Sequence, residues 1–475
     1  MKRSTTLLRG SGLVVVIMFG AIAVYLLSAL VGWSAMNLRL GRSATDRERA
    51  DEISEAGVDY YRWHLAHAAN DYKDGTAVAG PYVHPFLDKD GNNVGSFSLA
   101  ITAPPTGSTL TTVASTGRVS SDSSISRAIT VQLAIPSLAK YAVAANDDMR
   151  FGAGTEVFGP IVSNGGIRFD GVAHNVISSA KATYTDPDSD QNSFGVHTLV
   201  SPADPSPPAA VPNRPDVFLA GRQFPVASVD FAGITTNLAQ IKTSAQASGL
   251  YFSNSGFLGY HAVLKTNDTF DLYRVKTLVA STGSCNNSAN QTGWGSWSIK
   301  SGGEQLIGNY AFPANGILFF DDHLWIDGQI NGARLTIGAG TFPDNASTRR
   351  NIIINAPLLY TNFDGTDVIG LIAQDNVTVG MVSSDVLTVD AAVIAQNGRV
   401  GRFYYPSGCS PYASRSTITL FGMIATNDRY GFAYTDGTGY DTRNINYDGN
   451  FLYAPPPSFP LTSNQYQTIS WKEAR

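Results

Sequence analysis

Gly370-Leu371-Ile372-Ala373-Gln374-Asp375-Asn376-Val377 returns at Ala392-Val393-Ile394-Ala395-Gln396-Asn397-Gly398-Arg399, and again, shortened, at Gly422-Met423-Ile424-Ala425-Thr426-Asn427. An upstream version stands at Gly159-Pro160-Ile161-Val162-Ser163-Asn164-Gly165-Gly166. Each copy is a short apolar strand closed by Asn, Asp or Gly. Further short strands lie between the copies: Leu324-Trp325-Ile326, Leu335-Thr336-Ile337, Ile352-Ile353-Ile354 and Leu387-Thr388-Val389. One such unit cannot bury its inward Ile, Val and Leu alone, but units of about 20 to 30 residues stacked on one another can. The pattern therefore predicts a parallel β-helix (β-solenoid) over residues 151–475, with Asn at matching turns bonded to the Asn above and below. A β-sandwich with coincidentally similar strands is the alternative.

Working outward, the copies lie on both sides of a proline-rich stretch, residues 202–215, which can be neither helix nor central strand. After it, Ile234, Leu238, Ile241 and Ala245 fall on one helical face that ends at Gly249. A hairpin then turns at Asn267-Asp268. The spacing predicts an inserted helix and hairpin region at about 200–310. The tail from Tyr447 through Pro455-Pro456-Pro457 to Trp471 reads as a cap over the last rung.

Upstream, residues 76–150 alternate with period two. Phe97, Leu99 and Ile101 alternate with small residues, and Ile129, Val131, Leu133 and Ile135 alternate with Thr130, Gln132 and Ala134. With the strand around Leu110 and Val113, this predicts a small antiparallel meander. Asp88-Lys89-Asp90-Gly91-Asn92-Asn93 has the look of a calcium loop but lacks the closing glutamate, so a hairpin turn is expected there. Asp186, Asp188 and Asp190 are expected as solvated loop carboxylates.

At the amino end, residues 1–10 form a basic leader with Lys2, Arg3 and Arg9, and residues 11–38 carry no charge. A bilayer core needs about 20 apolar residues as helix. The run continues without a turn into Ile53, Ala56, Gly57, Tyr60, Tyr61, His64 and Leu65 at three- and four-residue steps. One transmembrane and amphipathic helix over 11–75, half in lipid and half packed on the meander, is the expectation. The positive leader stays in the cytoplasm, so the bulk of the chain is expected outside it as a single-pass membrane protein. With 33 basic against 38 acidic residues, net −5, the chain has no footprint for nucleic acid.

Arg9-Gly10-Ser11-Gly12-Leu13, the apolar run and Ile53-Ser54-Glu55-Ala56-Gly57-Val58-Asp59-Tyr60 resemble the N-terminal segment of PilX-like minor pilins of the type IV pilus system. The resemblance covers about the first 75 residues. It implies cleavage by a prepilin peptidase between Gly10 and Ser11. It also implies partnership with other pilins or pilus assembly components, and a structural or adhesive role at the cell surface. Typical pilins carry a glutamate at the fifth mature position, where this chain has Val15.

Two cysteines, Cys285 and Cys409, outside the cytoplasm are expected to form a disulfide; two unpaired core thiols are the alternative. No cofactor or metal site and no catalytic residue is expected, because GxSxG, HExxH, Walker A and GxGxxG are all absent. The enzymatic alternative is a membrane-anchored β-helix enzyme acting on polysaccharide through a carboxylate pair drawn from Asp321, Asp322, Asp327, Asp364 and Asp367. A surface glycan or protein is the expected ligand class, with Phe403-Tyr404-Tyr405 and Tyr430-Gly431-Phe432-Ala433-Tyr434 as stacking candidates.

Overall fold

The computed structural model describes residues 11–104, 108–231, 233–281 and 283–474. It is mainly β, with one long N-terminal apolar helix and many parallel strands, and divides into two compact units.

The described part of the first unit holds residues 11–103, 111–133 and 468–474. Its helix α1 spans Ser11–His67, 57 residues without a proline to break it. Ala50, Ile53, Val58, Tyr61 and Leu65 are buried on one face, the stripe that three- and four-residue spacing produces. That face lies on a five-stranded sheet in the order Tyr82–Leu87, Asn93–Thr102, Thr111–Val119, Ser126–Ala134 and Gln467–Ala474. The first four strands form an antiparallel meander whose Phe97, Leu99, Val113, Ile129, Val131 and Leu133 are buried. The Asp88 carboxylate accepts from the backbone N–H of Asp90 and Asn92 at 2.9 and 2.8 Å, which makes residues 88–92 a hairpin turn. The last strand corrects the expectation that the whole tail caps the second unit. Residues 468–474 leave that unit and add an edge to this sheet, where Ser470 Oγ donates to Gln132 at 2.7 Å.

Glycines let the helix and sheet backbones touch. A Cβ on Gly117 would stand 2.1 Å from the Ala50 carbonyl oxygen and 2.6 Å from the Ser54 nitrogen. Gly117→Val is therefore expected to cost about 3 kcal/mol, because backbone cannot yield as a side chain would. The full chain in detergent should show a lower urea midpoint for Trp63 fluorescence, with that of the second unit unchanged.

The second unit holds residues 104–110 and 134–467. Its first strands, Val143–Ala145 and Met149–Phe151, pair only within this unit, so the boundary falls near Ala134 rather than at 150. Parallel strands form three long ladders. In the first, Leu250, Leu318, Ile337, Leu371, Val393, Ile424, Val143, Ile161 and Ile177 stand in one column. The second aligns Tyr260, Leu324, Ile352, Val377 and Val400. The third aligns Gly328, Leu358, Val389, Leu420, Ile445, Val157, Ala173 and Phe218. Chain order and ladder order differ. Residues 143–145 sit between 424–426 and 161–163, so the early segment docks on the late strands.

The first ladder is buried on both faces. The Leu371–Val393–Ile424 column enters the main core, while the neighbouring column of Phe319, Ile372, Ile394, Ala425 and Val162 enters a second one. Leu238, Ile241 and Ala245 of helix α2 (Gly233–Ser248) cover that second core, together with Phe451 and Phe459. Burial on both faces is why these strands read as continuous apolar runs. Helix α2 is about 24 Å long at 1.5 Å per residue, the height of about five strands. Region 200–310 is consequently not a simple insertion. Arg222–Gln223 pairs at one end of the first ladder and Leu250–Phe252 at the other, with α2 running between.

The repeat holds in its first two copies, where Ala373 pairs with Ala395. The others slip by one residue: Ala395 pairs with Thr426, and Ile161 shares the column of Leu371. Matching Ile-Ala letters hid a one-residue shift that exchanges the two faces. Gly422, at φ +151° with a would-be Cβ 2.0 Å from the Ala391 carbonyl oxygen, opens that strand segment. Asn side chains do bond across strands: Asn164 to Asn146 at 2.7 Å, Asn146 to Asn427 at 3.0 Å, and Asn376 to Asn351 at 3.1 Å.

Candidate functional site

Helix α1 presents the first candidate surface. Every large apolar side chain from Leu13 to Leu40 is between 45% and 75% exposed. The uncharged part extends about 40 Å, longer than the ~30 Å hydrocarbon core, so by length and composition this helix can cross a bilayer. Ser11 opens α1, whereas Gly10 and the rest of the basic leader lie outside the described residues.

In the second unit Cys285 and Cys409 are bonded, with Cα atoms 4.4 Å apart across 124 residues of sequence. The bond ties the loop around Cys285 to a cluster of Met381, Phe403, Tyr405 and Ala413. Beside it lies Arg402, which is fully buried. Its guanidinium donates to the carbonyls of Ala413 (2.9 Å), Met381 (3.0 Å) and Tyr412 (2.5 Å), and stands 4.7 Å from the Tyr405 ring centroid. Burial pulls its pKa down to about 10, with the Tyr405 and Tyr440 hydroxyls opposing.

The five candidate carboxylates are each engaged separately. Asp321 binds Lys242 Nζ at 2.8 Å and the Tyr251 hydroxyl at 2.9 Å. Asp322 is buried and takes Ser255 Oγ at 2.6 Å. Asp327 binds His261 Nε2 at 2.9 Å. Asp364 caps its own turn through Thr366, and Asp367 accepts from the N–H groups of Gly332, Ala333, Thr361 and Asn362. Asp186 accepts from Ser189 while Asp188 pairs with Arg150 and Arg429, so this run does not converge on one point. Among the described residues no group of three or more His, Cys, Asp or Glu side chains is placed to hold a metal ion.

His261 is held between Asp327 and Glu304, its Nδ1 2.7 Å from the Glu304 carboxylate. Burial works to lower its pKa, but the hydrogen bonds and charges of the two carboxylates outweigh it and hold the ring at about 9. The folded value exceeds the unfolded one of ~6.5, so the stabilisation is fully present below pH 6.5 and is lost as pH rises through 9. The full chain should lose about 3 kcal/mol of that contribution between pH 6 and 10, and His261→Gln should lack this slope. Urea midpoints at the two pH values check it; parallel slopes in both proteins would contradict it.

The aromatic runs point mostly inward. Phe403, Tyr405, Tyr430 and Phe432 are buried. Only Tyr404 and Tyr434 reach the surface, edge to face with ring centroids 5.0 Å apart. Sequence reasoning missed a cleft of about 530 Å³ lined by Arg150, Asp188, Arg399, Arg429, Tyr434 and Arg443. Its arginines are scattered along the chain and meet only through the docking of residues 143–169 on the late strands.

No family model matches the chain, and neither does any curated protein. Among solved structures it is similar to the competence-associated pilin ComZ from Thermus thermophilus. The identity is 14% and the TM-score 0.27, over 90% of this chain and 98% of that one.

Proposed function

We propose that this chain is a membrane-anchored or pilus-associated surface protein of minor-pilin type. Its role is structural or adhesive, and it displays a parallel β-helix body on the outer side of the membrane. The observation that carries the proposal is α1 itself: one unbroken helix, apolar and exposed over its first half, packed on an antiparallel meander over its second. A soluble domain would not leave so long an apolar surface uncovered. Three in-register parallel ladders with stacked Asn support the β-helix reading, and the disulfide agrees with an oxidising compartment. The polysaccharide-cleaving alternative needs two carboxylates facing one glycosidic bond, and each of the five candidates is tied into a local bonding pattern.

Mass spectrometry of the native N-terminus tests the proposal. A mature chain beginning at Ser11 and recovered with sheared pili is expected. An intact Met1 with no signal in the pilus fraction would leave only the anchored form.

A further inference from the structure

The cleft lies where the second ladder breaks. Residues 400–402 bond to Gly431, but the next strands, Met149–Phe151 and Ile167–Phe169, belong to a separate three-stranded sheet with Val196–His197. The gap between the two is lined by four arginines and one carboxylate, Asp188. Asp188 is shared by Arg150, at 3.7 Å, and Arg429. The other two arginines are positioned without being neutralised. Arg399 donates to the Tyr434 hydroxyl at 2.9 Å and to the Gly431 carbonyl at 3.3 Å. Arg443 donates to the carbonyls of Tyr440 (2.8 Å), Asp441 (2.7 Å) and Ala153 (3.4 Å). Among the described residues neither has a carboxylate within ion-pair distance, although Asp428 stands near enough to Arg399 to feel its charge. A second observation is independent of charge. Thr155 lines the same cleft, is 1% exposed, and its hydroxyl has no hydrogen-bond partner. A buried hydroxyl left unpaired costs about 1–3 kcal/mol, which a ligand's polar group would recover.

We propose that this cleft binds a carboxylated sugar, a uronic-acid-type residue of a surface glycan. The guanidinium fork matches a carboxylate, and Thr155 offers a hydroxyl partner for the ring, whereas the Tyr434 hydroxyl is already taken by Arg402, Arg399 and Gln291. The volume lies within the range of small-ligand sites and suits one or two sugar units. A nucleic-acid strand needs a long basic track and open aromatic faces. Here Tyr430 and Phe432 are buried and the chain is net acidic. The proposal deepens the adhesive reading, resting on it only for where the ligand is met.

The test is calorimetry on the full chain in detergent with three probes: a glucuronate-bearing disaccharide, its neutral glucose counterpart and a DNA oligonucleotide. The acidic disaccharide should bind at least tenfold more tightly than the neutral one. Arg399→Gln with Arg443→Gln should weaken it at least tenfold. Thr155→Val, which removes only an unpartnered hydroxyl, should weaken it about three- to tenfold with no loss of thermal stability. Equal binding of both sugars, or unchanged affinity in the arginine and threonine variants, would overturn the proposal. So would an oligonucleotide that binds more tightly through the same arginines. A chain that binds the acidic sugar but is absent from pili would remove the pilus reading and leave the cleft standing.

Discussion

Val393→Asp will prevent the second unit from folding, whereas Val386→Asp, on the same strand, will leave it within about 0.5 kcal/mol of the parent. Both residues belong to Val386–Ala395, but Val393 is 1% exposed and Val386 61%. Val393 stands between Leu371 and Ile424 in the first ladder, and its side chain enters the main core. An aspartate there has no cation to pair with and neighbours that are apolar above and below. Burying it costs several kcal/mol, and strand-to-strand stacking passes the damage to both adjacent strands. Soluble yield and circular dichroism of the two variants check the contrast. Equal yields would mean that the column is not inside a core.

The second large effect is expected at Arg402. Arg402→Met keeps the side-chain volume but removes the donors to Ala413 and Tyr412; the Met381 carbonyl retains Arg415 at 3.3 Å. The Ala413 carbonyl keeps the Gly439 N–H at 3.0 Å, so the Tyr412 carbonyl alone is stranded, and the stacking on Tyr405 is weakened. The expected cost is about 2–3 kcal/mol. Reduction of the Cys285–Cys409 bond releases a loop of 124 residues and is expected to cost more, about 4–5 kcal/mol on the chain-entropy account. The two perturbations meet in one place, since Met381, Cys409 and Ala413 belong to the same buried cluster. Their costs should therefore fall short of additive by about 1 kcal/mol or more in a double-mutant cycle with Cys285→Ser and Cys409→Ser. Full additivity in urea-unfolding experiments would show that the arginine and the disulfide act independently.

Local patterns in the sequence specify the structure where its contacts are local. The alternation through Phe97, Leu99, Ile129, Val131 and Leu133 gave the buried face of the meander. The steps through Ile53, Tyr61 and Leu65 gave the packed face of α1. Apolar runs such as 370–373 and 392–395 were recognisable as parallel neighbours because both faces of their ladder are covered. What failed was whatever depends on long-range register. The slip at Ile424 changes no local pattern: residues 417–426 pair in one continuous register with 386–395, and Ile424 pairs on its other side with Val143 far upstream. The assignment of residues 200–310 to an insertion failed for the same reason, because their strands pair at opposite ends of one ladder. Nothing in the spacing of Arg150, Arg399, Arg429 and Arg443 marks them as neighbours. The last strand likewise returns to the first unit through pairing that no local signal announces.

The proposed anchoring by α1 and the proposed position of the second unit outside the cytoplasm can be tested together. Protease treatment of intact spheroplasts, followed by alkaline washing of their membranes, measures both parts at once. Residues 134–467 are expected to be digested from outside without lysis, and a fragment containing residues 11–40 is expected to stay in the washed membrane. A body protected until the membrane is broken, or a full-length chain released by the wash, would contradict the proposal.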